Sequence, residues 1–271
     1  MLFTKNKSLL NYFTMTELLL WSISVVLITM SFFIFDKENY LILTASLVGV
    51  TSLIFNAKGN PFGQFLMVAF SVLYGVISFN FSYYGEMITY LGMTAPMAVV
   101  ALISWSRNPY NENKAEVKVN RIEKKEYVFM IMLTAFITFV FYYILAVFHT
   151  ANLTLSAISV TTSFLAVYLT FRRSAFYAVA YAANDIVLIF LWLLAALSST
   201  SYVSVVICFV MFLANDIYGF ISWSKMQKRQ EAAEKIVSSI CNDLVKKPLT
   251  GEVTFVIMSL RIFKLYLCEL N

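Results

Sequence analysis

Eight runs of apolar residues, most of them long enough for an α-helix to cross the roughly 30 Å hydrocarbon layer of a bilayer, divide this sequence. No other feature restricts its fold as much. The runs fall at about 18–35, 40–56, 62–80, 87–105, 126–148, 153–171, 175–197 and 201–223. In hydrocarbon each backbone N–H and C=O must find a partner inside the protein, so runs of this length become helices. The expectation is an all-α polytopic membrane protein with about eight transmembrane helices. Composition excludes a water-soluble alternative: 60% of the 271 residues are hydrophobic and 13% charged, against roughly 45–50% and 25% in soluble domains. The second run is short and the preceding turn, Asp36-Lys37-Glu38-Asn39, is tight, so a first hairpin that crosses incompletely is also compatible with the pattern.

The charges are segregated, with 23 of the 35 in residues 107–126 and 224–271. With eight spans, 19 of the 20 Lys and Arg fall on the side shared by both termini, and only Lys37 lies opposite. The positive-inside rule then places both termini in the cytoplasm. The net charge of +5 is thus a topology signal; it flanks apolar spans and forms no base-reading face, which argues against nucleic acid as a partner. Lys5 and Lys7 precede an apolar run too long for a signal peptide and without a small-x-small cleavage pattern, so that run reads as a retained helix. Cys208, Cys241 and Cys268 are unclustered and His149 is the single histidine, which predicts neither a disulfide framework nor a metal site. With no GxxxxGK[ST] run and no Ser-His-Asp set, neither a cofactor nor catalysis is expected, and a self-contained ATP-driven pump is disfavoured.

The fourth and eighth runs end alike, in Ile103-Ser104-Trp105-Ser106-Arg107 and Ile221-Ser222-Trp223-Ser224-Lys225. Spans two to four and six to eight then form two parallel three-helix repeats joined by a linker helix, a 3+1+3 layout with one additional N-terminal helix. The segments are 1–17, an N-terminal cytoplasmic piece; 18–35, the additional helix; 40–106, the first bundle; 126–148, the linker; 153–224, the second bundle; and 225–271, a cytoplasmic tail. Parallel repeats of this kind occur in transporters, with substrate held between the bundles. Beyond Ser224 the last helix continues as a polar one, and 253–267 reads as an amphipathic helix on the inner leaflet. Pro96 removes a backbone donor from span four and should bend it.

Acids within apolar spans are costly and face protein or water. Asp185 lies about ten residues into span seven and Asp216 about two turns from the end of span eight, each in the tetrapeptide Ala-Asn-Asp-Ile. Tyr177, Tyr181, Asn184 with Asp185, and Trp192 recur at helical steps and place rings and a carboxylate on one stripe. Asn215 on span eight and Gln64 and Tyr74 on span three are further candidates. Such a lining suits a flat, partly polar ligand: rings stack, amides read edges, and a carboxylate favours hydroxyls or positive charge. The same side chains could instead be interhelical hydrogen bonds. Asp216, Trp105, Trp223 and Trp192 are candidates for a gate or pathway, although the first two tryptophans also stand where interfacial belt residues or braces of the helix ends would.

The layout, the repeated Ile-Ser-Trp-Ser ends, the Tyr218-Gly219-x-x-x-Trp223 ending, the Phe55-Asn56-Ala57-Lys58-Gly59 turn and the Arg-led seventh span resemble the PnuC family of bacterial vitamin transporters over roughly residues 17–226. The resemblance implies a SWEET-like fold in the bacterial cytoplasmic membrane and a trimeric assembly surrounded by lipid. It also implies import of nicotinamide riboside, an NAD precursor, by facilitated diffusion through a midplane site. Where nicotinamide riboside members of that family typically carry Trp-x-x-Trp, this sequence has Phe176-Tyr177-Ala178-Val179-Ala180-Tyr181, so Tyr177 and Tyr181 would replace the indoles as stacking surfaces. Thiamine, riboflavin or a deoxynucleoside would suit the same fold. A substrate-binding subunit of an ATP-driven importer, a sugar carrier of SWEET type and a membrane-embedded enzyme are the rival readings.

Overall fold

The computed structural model describes residues 12–80, 84–111, 113–150 and 152–246. Among these, eight helices are long and apolar enough to cross a membrane. They are α1 (Met15–Phe35), α2 (Tyr40–Ala57), α3 (Pro61–Asn80), α4 (Tyr84–Arg107), α5 (Lys124–Val147), α6 (Leu153–Phe171), α7 (Tyr177–Ala196) and α8 (Val203–Lys246). The expected spans agree to within a few residues. Large apolar side chains such as Leu19, Phe65, Phe136 and Phe190 are more than half exposed, an exterior suited to lipid rather than water.

α1 starts three residues earlier than the apolar run. Its cap is the Thr14-x-x-Glu17 box: Thr14 N–H donates to Glu17 Oε2 (2.7 Å) and Glu17 N–H to Thr14 Oγ1 (3.3 Å), which satisfies orphan donors of the first turn. Pro96 does not break α4. A π turn over Tyr90–Thr94 precedes it, and the wider turn, with Ala95 N–H bonded to Tyr90 O, accommodates a residue that can neither donate nor tolerate the carbonyl four residues back. α8 is helical through Lys246. The chain divides into compact units at Lys225/Met226; within 226–246 the polar helix carries an i,i+4 bond from Gln227 Nε2 to Glu231 Oε1 (2.8 Å). The segment 253–267 and residues 1–11 lie outside the described residues.

α2 packs on α3, α3 on α4, α6 on α7, α4 on α6, α5 on α6, and α1 on α2. α5 buries only Met130, Thr134 and Leu145, so it is peripheral. The charged stretch after α4 is not merely a loop. β1 (Pro109–Tyr110) pairs antiparallel with β2 (Asn113–Val117), a hairpin without apolar alternation to announce it. Val117 N–H donates to Gly59 O (2.9 Å) and Asn120 N–H to Arg173 O (3.0 Å), so this connector touches the turns that follow both α2 and α6.

Those two turns are built alike. Each helix ends in a Schellman motif. Asn60 N–H reaches Phe55 O (3.0 Å) over Gly59 at φ 66°, and Ser174 N–H reaches Leu169 O (3.0 Å) over Arg173 at φ 56°. Glycine suits the first left-handed position, whereas Arg173 adopts it at a cost of roughly 1 kcal/mol.

A buried ion pair fastens α1 to the first of these turns. Glu17, 2% exposed, meets Lys58 Nζ at 3.0 Å, and Tyr218 Oη donates to Glu17 Oε1 (3.1 Å). The Lys58 ammonium also lies 5.5 Å from the Tyr12 ring centroid. Burial pushes the Tyr12 phenol above its ordinary pKa. Lys58 keeps some contact with solvent, so removing it should cost on the order of 2 kcal/mol, below the ~3–5 of a fully buried pair. The expected outcome is a lower thermal midpoint in detergent for Lys58→Met, with much of the loss restored when Glu17→Gln is added.

Candidate functional site

α7 and α8 run antiparallel, so a residue eight positions into α7 comes level with one nine positions before Lys225, each about 12 Å from the basic end at ~1.5 Å per residue. These residues are Asp185 and Asp216, 3% and 4% exposed. They line a hollow of about 30 Å³ together with Tyr181, Asn184, Tyr90 and Phe212 among others. That volume holds roughly two water molecules. No Lys, Arg or His lines it. A larger hollow of about 210 Å³ lies between α1 and α2 against Trp21, Ile54 and Phe55. Its polar groups are already engaged, Glu17 with Lys58 and Thr51 with the Trp21 indole N–H (3.2 Å), so the smaller hollow is the candidate site.

Asn184 is fixed by α6. Its Oδ1 accepts from Thr162 Oγ1 and Ser163 Oγ, both at 2.9 Å, and more distantly from Ser159 Oγ at 3.3 Å. With the oxygen engaged, the amide nitrogen is the end left for a ligand. Tyr181 supplies a ring to one wall, and Phe70, Tyr90 and Phe212 supply others. Tyr90 stands against Tyr74 with ring centroids 4.5 Å apart. The hydroxyl stripe on α6 and the ring of Tyr90 were not among the expected site residues. The first is visible in the sequence as Ser159, Thr162 and Ser163 at helical steps; the second had no local signal beyond its nearness to Pro96.

Several expected site residues face elsewhere. Gln64 Nε2 donates to Asn56 Oδ1 (2.8 Å), and Asn56 Nδ2 to Ser52 Oγ (3.3 Å), a polar knot between α2 and α3. Packing around it is tight, because a Cβ at Gly63 would collide with the Asn56 backbone and side chain. Asn215 Nδ2 donates to Ser24 Oγ on α1 (3.0 Å) and to Met211 O (2.8 Å). Tyr74 belongs to an aromatic cluster with Trp192 (6.2 Å) and Phe209 (5.8 Å), and Trp192 also meets Tyr202 at 5.5 Å. Tyr177 does not line the hollow. It packs at 4.9 Å from Trp223 and 6.4 Å from Trp105, with Tyr181 at 6.1 Å on its other side.

Trp105 and Trp223 are fully buried, which removes the belt reading: a belt indole sits at the lipid boundary. They touch each other at 5.2 Å, and each braces a helix end. Trp105 Nε1 donates to Thr170 O (2.8 Å) and Ser104 Oγ to Phe171 O (3.0 Å). Trp223 Nε1 donates to Asn56 O (2.7 Å) and Ser222 Oγ to Ala57 O (2.7 Å). The repeated Ser-Trp of α4 thus caps α6, and that of α8 caps α2, at equivalent carbonyls of the two Schellman turns. The duplication seen in sequence is a duplication of contacts.

Six of the eight apolar helices line a hollow of carboxyl, amide and aromatic groups, an arrangement that suits a membrane transporter rather than an enzyme. Residues 39–225 match the model of the nicotinamide mononucleotide transporter family, and the chain belongs to that family, the one that includes PnuC. Among curated relatives, the nicotinamide riboside transporter PnuC of Neisseria mucosa is 27% identical over 202 residues, 73% of this chain and 76% of that protein. The nicotinamide riboside transporter PnuC of Haemophilus influenzae is 21% identical over 193 residues, 71% and 82% of the two chains. The crystal structure of a vitamin B3 transporter PnuC superposes with a TM-score of 0.71 at 23% identity, covering 81% of this chain and 95% of that one.

Replacing either capping indole should leave a buried carbonyl with one donor fewer. For Trp223→Phe, and equally for Trp105→Phe, a loss of about 1–2 kcal/mol is expected. Thermal unfolding in detergent would show two similar shifts; a shift in one variant only would mean that the two caps are not equivalent.

Proposed function

We propose that this protein imports nicotinamide riboside, or a close cationic relative, across a bacterial cytoplasmic membrane by facilitated diffusion. The observation that carries the proposal is the enclosed hollow bounded by Asp185, Asp216, Asn184 and Tyr181, which contains no basic side chain. A pyridinium ribonucleoside has the complementary chemistry: a flat cationic ring for Tyr181 and its aromatic neighbours, polar edges for Asn184, and a positive charge for the carboxyls. The curated relatives are nicotinamide riboside transporters, which supports the same substrate class.

In this reading α2–α4 and α6–α8 are two parallel bundles about a midplane site, α5 is the linker, and both termini are cytoplasmic, the orientation that the distribution of Lys and Arg favours. A hollow of about 30 Å³ is far below the several hundred Å³ that a small-molecule site of this kind requires. The walls must therefore part on one side to admit substrate, close, and part on the other. Trp105, Trp223 and Tyr177 close the basic side below the hollow, and the Tyr74–Trp192 cluster stands on the opposite side. Asn215, Gln64 and Tyr74, which face away from the hollow in this conformation, hold the helices that would move. A trimer in lipid is the assembly that the family resemblance favours.

Uptake of labelled nicotinamide riboside into proteoliposomes should proceed without ATP or an ion gradient and stop at equal concentrations on both sides. Thiamine, riboflavin and a deoxynucleoside serve as competitors; stronger inhibition by one of them than by unlabelled nicotinamide riboside would reassign the substrate. Strict dependence on an added ATPase would overturn the carrier reading. Tyr181→Ala, which removes one stacking surface, should weaken uptake about three- to tenfold.

A further inference from the structure

Asp216 has a closer relation to Asp185 than membership of the same tetrapeptide suggests, because both carboxyl groups are buried against the same hollow of about 30 Å³, one from α7 and one from α8. Ionised carboxylates only accept, so two of them in one small hollow can bond to each other only through a proton held by one. Two negative charges in contact, withdrawn from water and without a cation beside them, would not persist. The titratable groups that face the pair are Tyr90 on α4, Tyr177 and Tyr181 on α7, and Cys208 on α8, all uncharged in their ordinary form at neutral pH. α2, α3 and α6 contribute Leu53, Met67, Phe70 and Ser163, none of which carries charge. No donor reaches Asp185 Oδ2, although it is buried at the hollow, so an acceptor is left for whatever occupies the space.

The geometry points to a carboxyl pair acting as one unit: with ligand bound, Asp185 and Asp216 hold a single proton between them and present one negative charge, which makes the hollow selective for a flat organic monocation. This rests on the reading of the hollow as the substrate site. A ligand of charge +1 then forms a neutral buried complex, whereas an uncharged ligand of the same shape leaves an uncompensated charge out of water. A second proton on the pair cancels its charge. It is taken from, and returned to, the water on whichever side the hollow is open, so it competes with the cation and weakens binding at acid pH.

Titration calorimetry on the purified full-length protein in detergent tests this, with three probes: nicotinamide riboside, its uncharged dihydropyridine form, and thiamine as a second cation. Wild-type protein should prefer nicotinamide riboside over the dihydropyridine form at least about tenfold, with that preference shrinking as the pH is lowered. Asp185→Asn and Asp216→Asn each leave one carboxylate and supply an amide N–H where the shared proton was, so each should hold the cation within about threefold of wild type. The double substitution should lose the cation about tenfold or more while still binding the uncharged form, which also shows that it is folded. Either single variant losing the cation as fully as the double one would overturn the shared-proton pair, as would undiminished cation binding by the double variant. Preference for thiamine with the same variant pattern removes the substrate assignment and keeps the pair. Equal binding of the charged and uncharged nicotinamide forms removes the pair and keeps the assignment. Absence of binding by all three overturns both.

Discussion

A helix that ends against packed side chains leaves carbonyls without intrahelical partners and out of reach of water, as at the buried Asn56, Ala57 and Thr170. The ends of α2 and α6 meet this constraint in the same way. A Schellman turn satisfies part of the requirement, and a serine and a tryptophan, from α4 for α6 and from α8 for α2, satisfy the rest. Because each pair of donors comes from a helix distant in sequence, the contact that completes a helix end also sets where α4 stands against α6 and α8 against α2. The two indoles come to rest on each other, with Tyr177 against both. That packed layer is the floor on which the acid-lined hollow sits. The position of the site is therefore a consequence of how backbone carbonyls are satisfied some 12 Å away, about eight helical residues at 1.5 Å each.

Above that floor the polar groups fall into two kinds. Gln64, Asn56, Asn215 and Ser24 are paired with one another across helices, as polar residues in membrane bundles usually are. Asp185 and Asp216 are different, since both border one small hollow and no basic side chain lines it. Such a pair adds little stability, because removing two carboxyls from water is costly whatever they share.

The spans were legible because hydrophobic length is a direct physical requirement of the bilayer, and the paired caps left a trace in the recurrence of Ile-Ser-Trp-Ser at the ends of α4 and α8. Asp185, Asn184 and Tyr181 were legible as one face of α7, since three- and four-residue steps fix which residues of a helix share a side. How that helix is rotated against its neighbours was not. Gln64, Asn215 and Tyr74 satisfy the same periodicity but turn toward α2, α1 and the Trp192 cluster, choices made by partners distant in sequence. The hairpin at 109–117 was hidden for a related reason. Its strands are two and five residues long, too short for alternation to show, and the second is held by Gly59 O and the buried Val117. The cap at Thr14 and Glu17 was readable but overlooked, because a buried glutamate next to an apolar run reads most simply as a boundary.

On α4 the buried positions Glu86, Tyr90, Thr94 and Ala98 follow one another at steps of four. A regular α-helix advances about 100° per residue, so each such step overshoots a full circle by about 40°, and three of them would carry the stripe about 120° round the cylinder. The surplus residue in the π turn winds back most of that drift. A fourfold spacing ahead of Pro96 is thus the imprint of the bulge in the sequence itself. Shortening the chain by one residue there would swing the Glu86 carboxyl from the protein interior out toward the acyl chains.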